Sequence, residues 1–240
     1  MRITGVKMIA INVQPKEGLV IRTDGSLDVF DIWPTIQGEG PLVGTPAVFV
    51  RMAGCNLTCS LCDTDYTSKR QLMAPSQLLE KITHYENPSR LIVLTGGEPF
   101  RQGIGPFVTR AIENDFRIQI ETNGTLFVPN LPYCHRNLTI VCSPKAPKIS
   151  QQLEPFINAF KYILDANSVD PADGLPITSM RSSNLTIARP NKSSIAEIFV
   201  QPLDEDDLDK NKRNLEATIS SCRKFGYRLS LQTHKIMGLP

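Results

Sequence analysis

The residues best suited to chemistry are three cysteines within eight positions, Cys55-Asn-Leu-Thr-Cys59-Ser-Leu-Cys62, which offer three soft thiolates to one metal centre and stop one short. A structural zinc site is closed by four protein ligands, and an electron-carrying iron-sulfur cluster is held by four thiolates. Three thiolates in a tight loop point instead to a four-iron cluster with one iron open to a substrate or cosubstrate. The competing reading is a zinc knuckle completed from a distance by His84, His135, His234, Cys134, Cys142 or Cys222. The usual zinc spelling is two C-x-x-C halves, and no second pair is present.

Elements able to position such a loop are written along the rest of the chain. Short β-branched or apolar runs recur at Ala47–Arg51, Leu91–Thr95, Arg117–Glu121, Leu138–Cys142, Lys161–Leu164, Glu197–Gln201 and Arg228–Gln232. Between them Ser76–Tyr85, with Leu78, Leu79 and Ile82 at helical spacing, Gly105–Asn114 and Asp206–Lys224 read as helices. A repeated βα pattern of this kind predicts an α/β sheet or partial barrel with mainly parallel strands. Polar groups sit where the strands end, at Thr95-Gly-Gly-Glu98, Glu121-Thr-Asn-Gly124, Ser143-Pro-Lys145, Gln201-Pro202 and Gln232-Thr-His234. The carboxyl ends of parallel strands build the active site in such folds, so these five ends are expected to meet at one mouth.

The 240 residues, 41% of them hydrophobic, suffice for one full core, and the chain reads as a single domain over 1–240. An amino-terminal extension of about 1–28 and a polar insertion of about 167–194 stand out. The insertion, rich in Pro, Ser, Asn and Asp, is either a functional cover over the site or a mobile excursion. The net charge is only +2, with Lys and Arg dispersed, which argues against direct nucleic-acid binding. No apolar run approaches membrane-spanning length, and Asn12 breaks the short stretch Met8–Ile11 before a signal core forms. A cytoplasmic setting follows, where six cysteines need not imply disulfides. The acidic run Asp204–Asp209 reads as capping of the helix whose far end carries Arg223 and Lys224, rather than as a hard-metal site.

The residues resemble the radical S-adenosylmethionine (SAM) enzymes, which carry C-x3-C-x2-C, and within them the 7-carboxy-7-deazaguanine synthase family. The closer resemblance rests on Ile36-Gln-Gly-Glu-Gly40, Phe49-Val-Arg51, the cysteine loop running into Asp63-Thr64, Thr95-Gly-Gly-Glu-Pro99 with Gln102, Glu121-Thr-Asn-Gly124, Ser143-Pro-Lys145, Gln201-Pro202 and His234-Lys235. It implies an incomplete (β/α) barrel of the radical SAM type, binding a 4Fe-4S cluster at Cys55, Cys59 and Cys62, with SAM and Mg²⁺. The reaction implied is ring contraction of 6-carboxy-5,6,7,8-tetrahydropterin to 7-carboxy-7-deazaguanine with loss of ammonia. One-electron cleavage of SAM would demand a cluster near the low end of the roughly −700 to +450 mV range. The same resemblance implies a flavodoxin-type electron donor and a homodimer.

Residue by residue, the resemblance assigns SAM to Leu61, Cys62, Asp63, Gly97, Glu98, Ser143, Pro144, Lys145 and Gln201. Glycines let backbone carbonyls approach an ammonium group and Glu98 adds a charged acceptor. It assigns the pterin to Ile36, Gln37, Gly38, Glu39, Arg51, Thr95 and the carboxylate of Pro240. Gln37 and Glu39 suit the donor and acceptor edge of an aminopyrimidinone, and Arg51 offers a planar fork to a carboxylate. Thr64 would give its hydroxyl to Mg²⁺, a cation that wants hard oxygen. His234 and Lys235 receive no specific role. The chain departs from the family pattern in carrying about thirty residues before the Gln-Gly-Glu-Gly motif, and in having Trp33-Pro34-Thr35 where a Ser is more usual. Two other readings remain at this point: a glycyl-radical-enzyme activase using the same loop, and a non-catalytic zinc or iron-sulfur protein.

Overall fold

A computed structural model describes residues 11–179 and 186–240. Nine strands and four α-helices follow in the order β1 (Leu27–Ile36), β2 (Pro46–Met52), β3 (Gln71–Met73), α1 (Pro75–Thr83), β4 (Leu91–Gly96), α2 (Gly105–Glu113), β5 (Arg117–Thr122), β6 (Leu138–Cys142), β7 (Ala159–Leu164), β8 (Glu197–Pro202), α3 (Leu208–Phe225), β9 (Arg228–Leu229) and α4 (Thr233–Met237). They form one sheet in the order β3-β1-β2-β4-β5-β6-β7-β8-β9. All pairs from β2 to β9 are parallel, while β1 runs antiparallel to both β2 and β3. The two edge strands do not meet, so the barrel stays open.

Strand alternation divides the molecule into a core face and a cavity face. Val48, Val50, Met52, Ile92, Leu94, Ile118, Ile120, Ile140, Phe160, Tyr162 and Val200 point one way and join Leu78, Ile82, Phe107 and Val108 from α1 and α2 in the main core. Burying each such side chain contributes about 1.5–3 kcal/mol. The other face is apolar only at its floor, where Ala47, Leu91 and Val93 form one small cluster and Val141, Ala159 and Phe199 another. Above that floor it turns polar toward the carboxyl ends of the strands.

The predicted helices between strands occur at three crossovers only. Residues 123–137 and 143–158 join β5 to β6 and β6 to β7 with no α-helix, the second carrying a single 3-10 turn at Glu154–Phe156. The strand predicted over Arg228–Gln232 shrinks to Arg228–Leu229, because Gln232 turns away to cap α4. The capping expectation for α3 is met at Asp207, whose carboxylate accepts from the Asp209 and Lys210 amides at 3.0 Å. Asp204 does something else, described below.

The described part of the 167–194 insertion is not a cover over the cavity. Leu175 and Ile187 join the core cluster, Tyr162 Oη donates to the Ala188 carbonyl at 2.8 Å, and Ser221 Oγ of α3 donates to the Gly174 carbonyl at 2.6 Å. The segment thus seals the core face of β7 where a crossover helix would otherwise lie. Gly174 has φ +72°, and a Cβ there would stand 2.4 Å from the Phe225 ring. Gly174→Ala is therefore expected to lower Tm by about 5 °C while leaving activity per folded molecule unchanged. Calorimetry paired with an activity assay checks this, and an unaltered Tm would contradict the packing.

Candidate active site

Residues at the carboxyl ends of β2, β4, β5, β6, β7 and β8 surround a cavity of about 370 Å³, a size suited to small molecules. The cysteine loop closes one side and α4 with Pro240 the other. Of the sequence-predicted residues, Cys55, Cys59, Leu61, Cys62, Asp63, Thr64, Gly97, Ser143, Lys145, Gln201, Ile36, Gln37, Glu39, Arg51, Thr95 and Pro240 line it. Gly38, Glu98 and Pro144 do not.

The loop is pressed onto the sheet by backbone contact. Gly97 N donates to the Met52 carbonyl and Glu98 N to the Gly54 carbonyl. A Cβ at Gly97 would lie 2.0 Å from the Gly54 oxygen, and one at Gly96, where φ is +118°, would lie 2.4 Å from the Met52 oxygen. Only glycine fits at either place. Asn56 fastens the loop further, donating to Thr125 Oγ1 at 2.8 Å and accepting from Asn123 Nδ2 at 2.9 Å.

Glu98 is turned inward. Its carboxylate accepts from Thr122 Oγ1 at 2.7 Å and from the backbone amides of Asn123 at 2.7 Å and Phe100 at 2.9 Å. Burial nevertheless holds its pKa above the ordinary carboxylate range. The expected charged acceptor in the cavity is thus a brace of the Thr122–Asn123 turn, because three donors of its own chain already occupy it.

All six cysteines are free. Burial pushes the Cys55 thiol up to about 12 and raises Cys62 as well, so these thiols carry protons until a metal displaces them. Among the described residues no three His, Cys, Asp or Glu side chains converge tightly enough to hold a single metal ion. Three thiols on one short loop, all lining the cavity, are a donor set that an iron-sulfur cluster would take.

Electrostatics organise the opposite half. Glu39 forms a buried ion pair with Lys161 and accepts from Gln232 Nε2 at 2.9 Å and Gln201 Nε2 at 3.3 Å. Burial acts to raise its pKa, but Lys161, the Gln232 hydrogen bond and His234 together outweigh burial and hold it below the usual carboxylate range. Burial likewise acts to lower Lys161, and Glu39, Glu121 and Asp63 outweigh it and hold Lys161 above the ordinary lysine value. Arg51, Thr95 and Glu121 form a row across β2, β4 and β5, with Arg51 opposite Thr95 in register and Thr95 Oγ1 donating to Glu121 at 2.9 Å. Gln37 Nε2 donates to the same carboxylate at 3.0 Å.

Sequence reasoning named Glu121 only as a strand end and missed Lys161 as a site residue. The signal was present: in Ala159-Phe-Lys-Tyr-Ile-Leu164 a lone charge interrupts an apolar strand at a cavity-facing position. Asp204 and Lys235, pairing at 2.8 Å with Asp63 3.8 Å from the lysine, tie α4 to the cysteine loop. His234 packs where Gly38 has no side chain, 2.0 Å from the position of a Cβ.

Two buried donors in the cavity wall have no hydrogen-bond partner, Arg51 Nε and Trp33 Nε1. The Arg51 guanidinium lies 4.9 Å from the centre of the Trp33 ring, so stacking fixes its plane.

Removing one member of a buried ion pair strands the other. Glu39→Ala is expected to cost about 3 kcal/mol, and the double change Glu39→Gln with Lys161→Met less than the sum of the single changes. Because the folded-state pKa of Glu39 is depressed, its stabilisation is complete above its unfolded pKa and is lost as pH falls through the folded value. Denaturant titrations between pH 3 and 7 should show a steeper acid loss in the wild type than in the double variant; parallel curves would contradict the pairing.

Comparison with known proteins agrees with this geometry. The radical SAM superfamily matches residues 49–132. The 7-carboxy-7-deazaguanine synthase of Rhodospirillum rubrum is 42% identical over 220 residues, covering 88% of this chain and 92% of its own. That of Rickettsia prowazekii is 37% identical over 249 aligned positions, covering 99% and 98%. The crystal structure of QueE from Escherichia coli superposes with a TM-score of 0.64 at 23% identity, covering 86% of this chain and 93% of that one, and shows the same fold. With a thiol loop, an open parallel sheet and full-length relatives in agreement, the chain belongs to the 7-carboxy-7-deazaguanine synthase family of radical SAM enzymes.

Proposed function

We propose that this enzyme contracts the ring of 6-carboxy-5,6,7,8-tetrahydropterin to 7-carboxy-7-deazaguanine, with ammonia leaving, at the cavity between the cysteine loop and α4. Arg51 carries the reading: a planar guanidinium with a partnerless Nε, beside a partnerless indole N–H, in a cavity whose other wall bears three thiols. A half-buried guanidinium with no ion-pair partner is a site for an anion, and its fork matches a carboxylate.

The three thiolates of Cys55, Cys59 and Cys62 hold the cluster. When bound, cluster and SAM supply a 5′-deoxyadenosyl radical able to remove hydrogen from carbon. The chain's own part is orientation. Leu61 to Asp63, Gly97, Ser143, Lys145 and Gln201 face SAM, with Ser143 held by donating to the Lys161 carbonyl at 2.9 Å. Arg51 takes the substrate carboxylate, Thr95 and Gln37 flank the ring, and Pro240 closes the far side. Glu39 accepts from the ring N–H groups in place of Gln201 and Gln232, while Lys161 keeps it ionised. Thr64, half-buried in the cavity lining beside Asp63, would give its hydroxyl to Mg²⁺, which would supply a Lewis acid for substrate oxygens. The family likeness supports a homodimer, a flavodoxin-type donor and a cytoplasmic setting.

Anaerobic protein reconstituted with iron and sulfide, then given SAM, reductant, Mg²⁺ and the carboxylated tetrahydropterin, should yield the deazaguanine acid by mass spectrometry. Cys59→Ala should abolish product. Arg51→Lys should raise KM at least tenfold, about 1.4 kcal/mol, through loss of the bidentate contact, and Thr64→Ala should raise the Mg²⁺ concentration giving half activity. Turnover undiminished in Cys59→Ala would refute the cluster assignment, and an unchanged KM in Arg51→Lys would refute the carboxylate site.

A further inference from the structure

Residues 12–18 have no part in the machinery described so far, yet they lie against the cysteine loop. The loop itself has no regular structure from Ala53 to Arg70 apart from isolated turns, so little within it fixes where its carbonyls, and hence its thiols, point. The segment 12–18 supplies the partners. Asn12 N donates to the Ser60 carbonyl at 3.0 Å and Asn12 Nδ2 to the Cys59 carbonyl at 3.1 Å. Glu17 N donates to the Cys55 carbonyl at 2.7 Å, and Thr58 Oγ1 donates back to the Gln14 carbonyl at 3.3 Å.

The Gln14 carboxamide uses both its ends. Nε2 donates to the Thr64 carbonyl at 2.9 Å, while Oε1 accepts from Tyr66 N at 2.8 Å and Thr67 Oγ1 at 3.0 Å. Asn12 Oδ1 in turn accepts from Gln14 N and Nε2, each at 3.0 Å. Alternation turns these two amides to the loop and leaves Ile11 and Val13 exposed. The strap is anchored elsewhere: Glu17 pairs with Arg70 at 2.6 Å and Arg101 at 3.3 Å, and the buried Arg101 also donates to the Gly18 carbonyl at 3.0 Å.

We propose that Asn12 and Gln14 are positioning residues for the cluster loop, a strap whose two carboxamides lock the carbonyls of Cys59 and Thr64, beside the Asn12 backbone amide on Ser60, and so hold the three thiols in place and limit solvent on their outer side. The proposal rests on the cluster reading given above for its function, and on the hydrogen bonds alone for its geometry. Both side chains donate and accept at once from two separate atoms, as a carboxamide does. An acid at position 14 would keep the acceptor for Tyr66 and lose the donor to Thr64.

The test compares wild type, Asn12→Ala/Gln14→Ala and Gln14→Glu, all as full-length chains. Glu17 stays in place, so the anchor to the core is untouched and the melting temperatures should agree within a few degrees; Gln14→Glu serves as the milder variant should the double change fold poorly. In cluster-free protein, alkylation of Cys59 and Cys62 should run at least fivefold faster in the variants. In reconstituted protein, iron loss to a chelator should be at least tenfold faster and KM for SAM at least fivefold higher, with kcat per intact cluster unchanged. Alkylation and iron-loss rates within twofold of wild type would overturn the strap, while a wild type that assembles no cluster but shows the alkylation difference would overturn the functional reading and leave the strap standing.

Discussion

The position of the cysteine loop depends on a close approach of two backbones. The turn after β4 presses Gly97 onto Gly54 at the end of β2, with no room for even a methyl group between them. That contact sets the height of the cysteine loop above the sheet. Beneath it Arg101 fills the space under Gly54, where a Cβ would stand 2.5 Å from the guanidinium, and donates to the Ala53 carbonyl at 2.8 Å. A buried cation and two glycines therefore hold the loop from below, and every cavity distance that involves a thiol inherits their geometry.

From that junction the cavity divides electrostatically. On the loop side the protonated Cys55 and Cys62 thiols and the inward Glu98 leave little free charge, and burial lowers the pKa of Lys145. On the far side Lys161 and Glu39 neutralise each other, Glu121 is shared by Thr95 and Gln37, and Arg51 has no ion-pair partner within 4 Å among the described residues. The uncompensated cation thus lies where an anionic substrate would have to be oriented, and the paired charges around it keep the polar wall from collapsing onto it. A protein that positions reagents for a radical needs this fixity more than it needs acids and bases.

The parts of this arrangement legible in the sequence are those that chemistry forces into local patterns. Strands such as Leu138–Cys142 and Leu91–Gly96 are short apolar runs with fixed ends, and the cysteine spacing points to a metal centre with one position open. Strand β1 was illegible because Asp31, Trp33 and Pro34 break the expected apolar alternation, and antiparallel pairing with β2 past a bulge near Val29 and Asp31 supplies the order instead. Lys161 was passed over because it opens the predicted run Lys161–Leu164 at its amino end, away from the carboxyl ends where site residues were expected, and its partner Glu39 is 122 positions away. Glu98 was read outward because a sequence does not say that Thr122 and two backbone amides await its carboxylate.

The missing crossover helices and the two unusual segments answer one another. A (β/α) unit normally covers the outer face of its own strand, and here β5, β6 and, among the described residues, β7 are followed by no α-helix. Residues 167–179 and 186–194 take that place at β7, with Leu175 and Ile187 in the same core cluster as Cys222 of α3. The amino-terminal segment plays the corresponding part at the loop, an irregular stretch that no strand or helix protects. Both segments are polar and without periodicity, so a composition-based reading sees only excursions. Their carbonyls and amides nevertheless find partners one by one, in the Gly174, Ala188, Cys55 and Thr64 contacts, which is what irregular backbone must do where it stays packed against a protein. Coverage of the open barrel is thus achieved by specific hydrogen bonds, which fix segments in one register where an apolar helix would tolerate sliding.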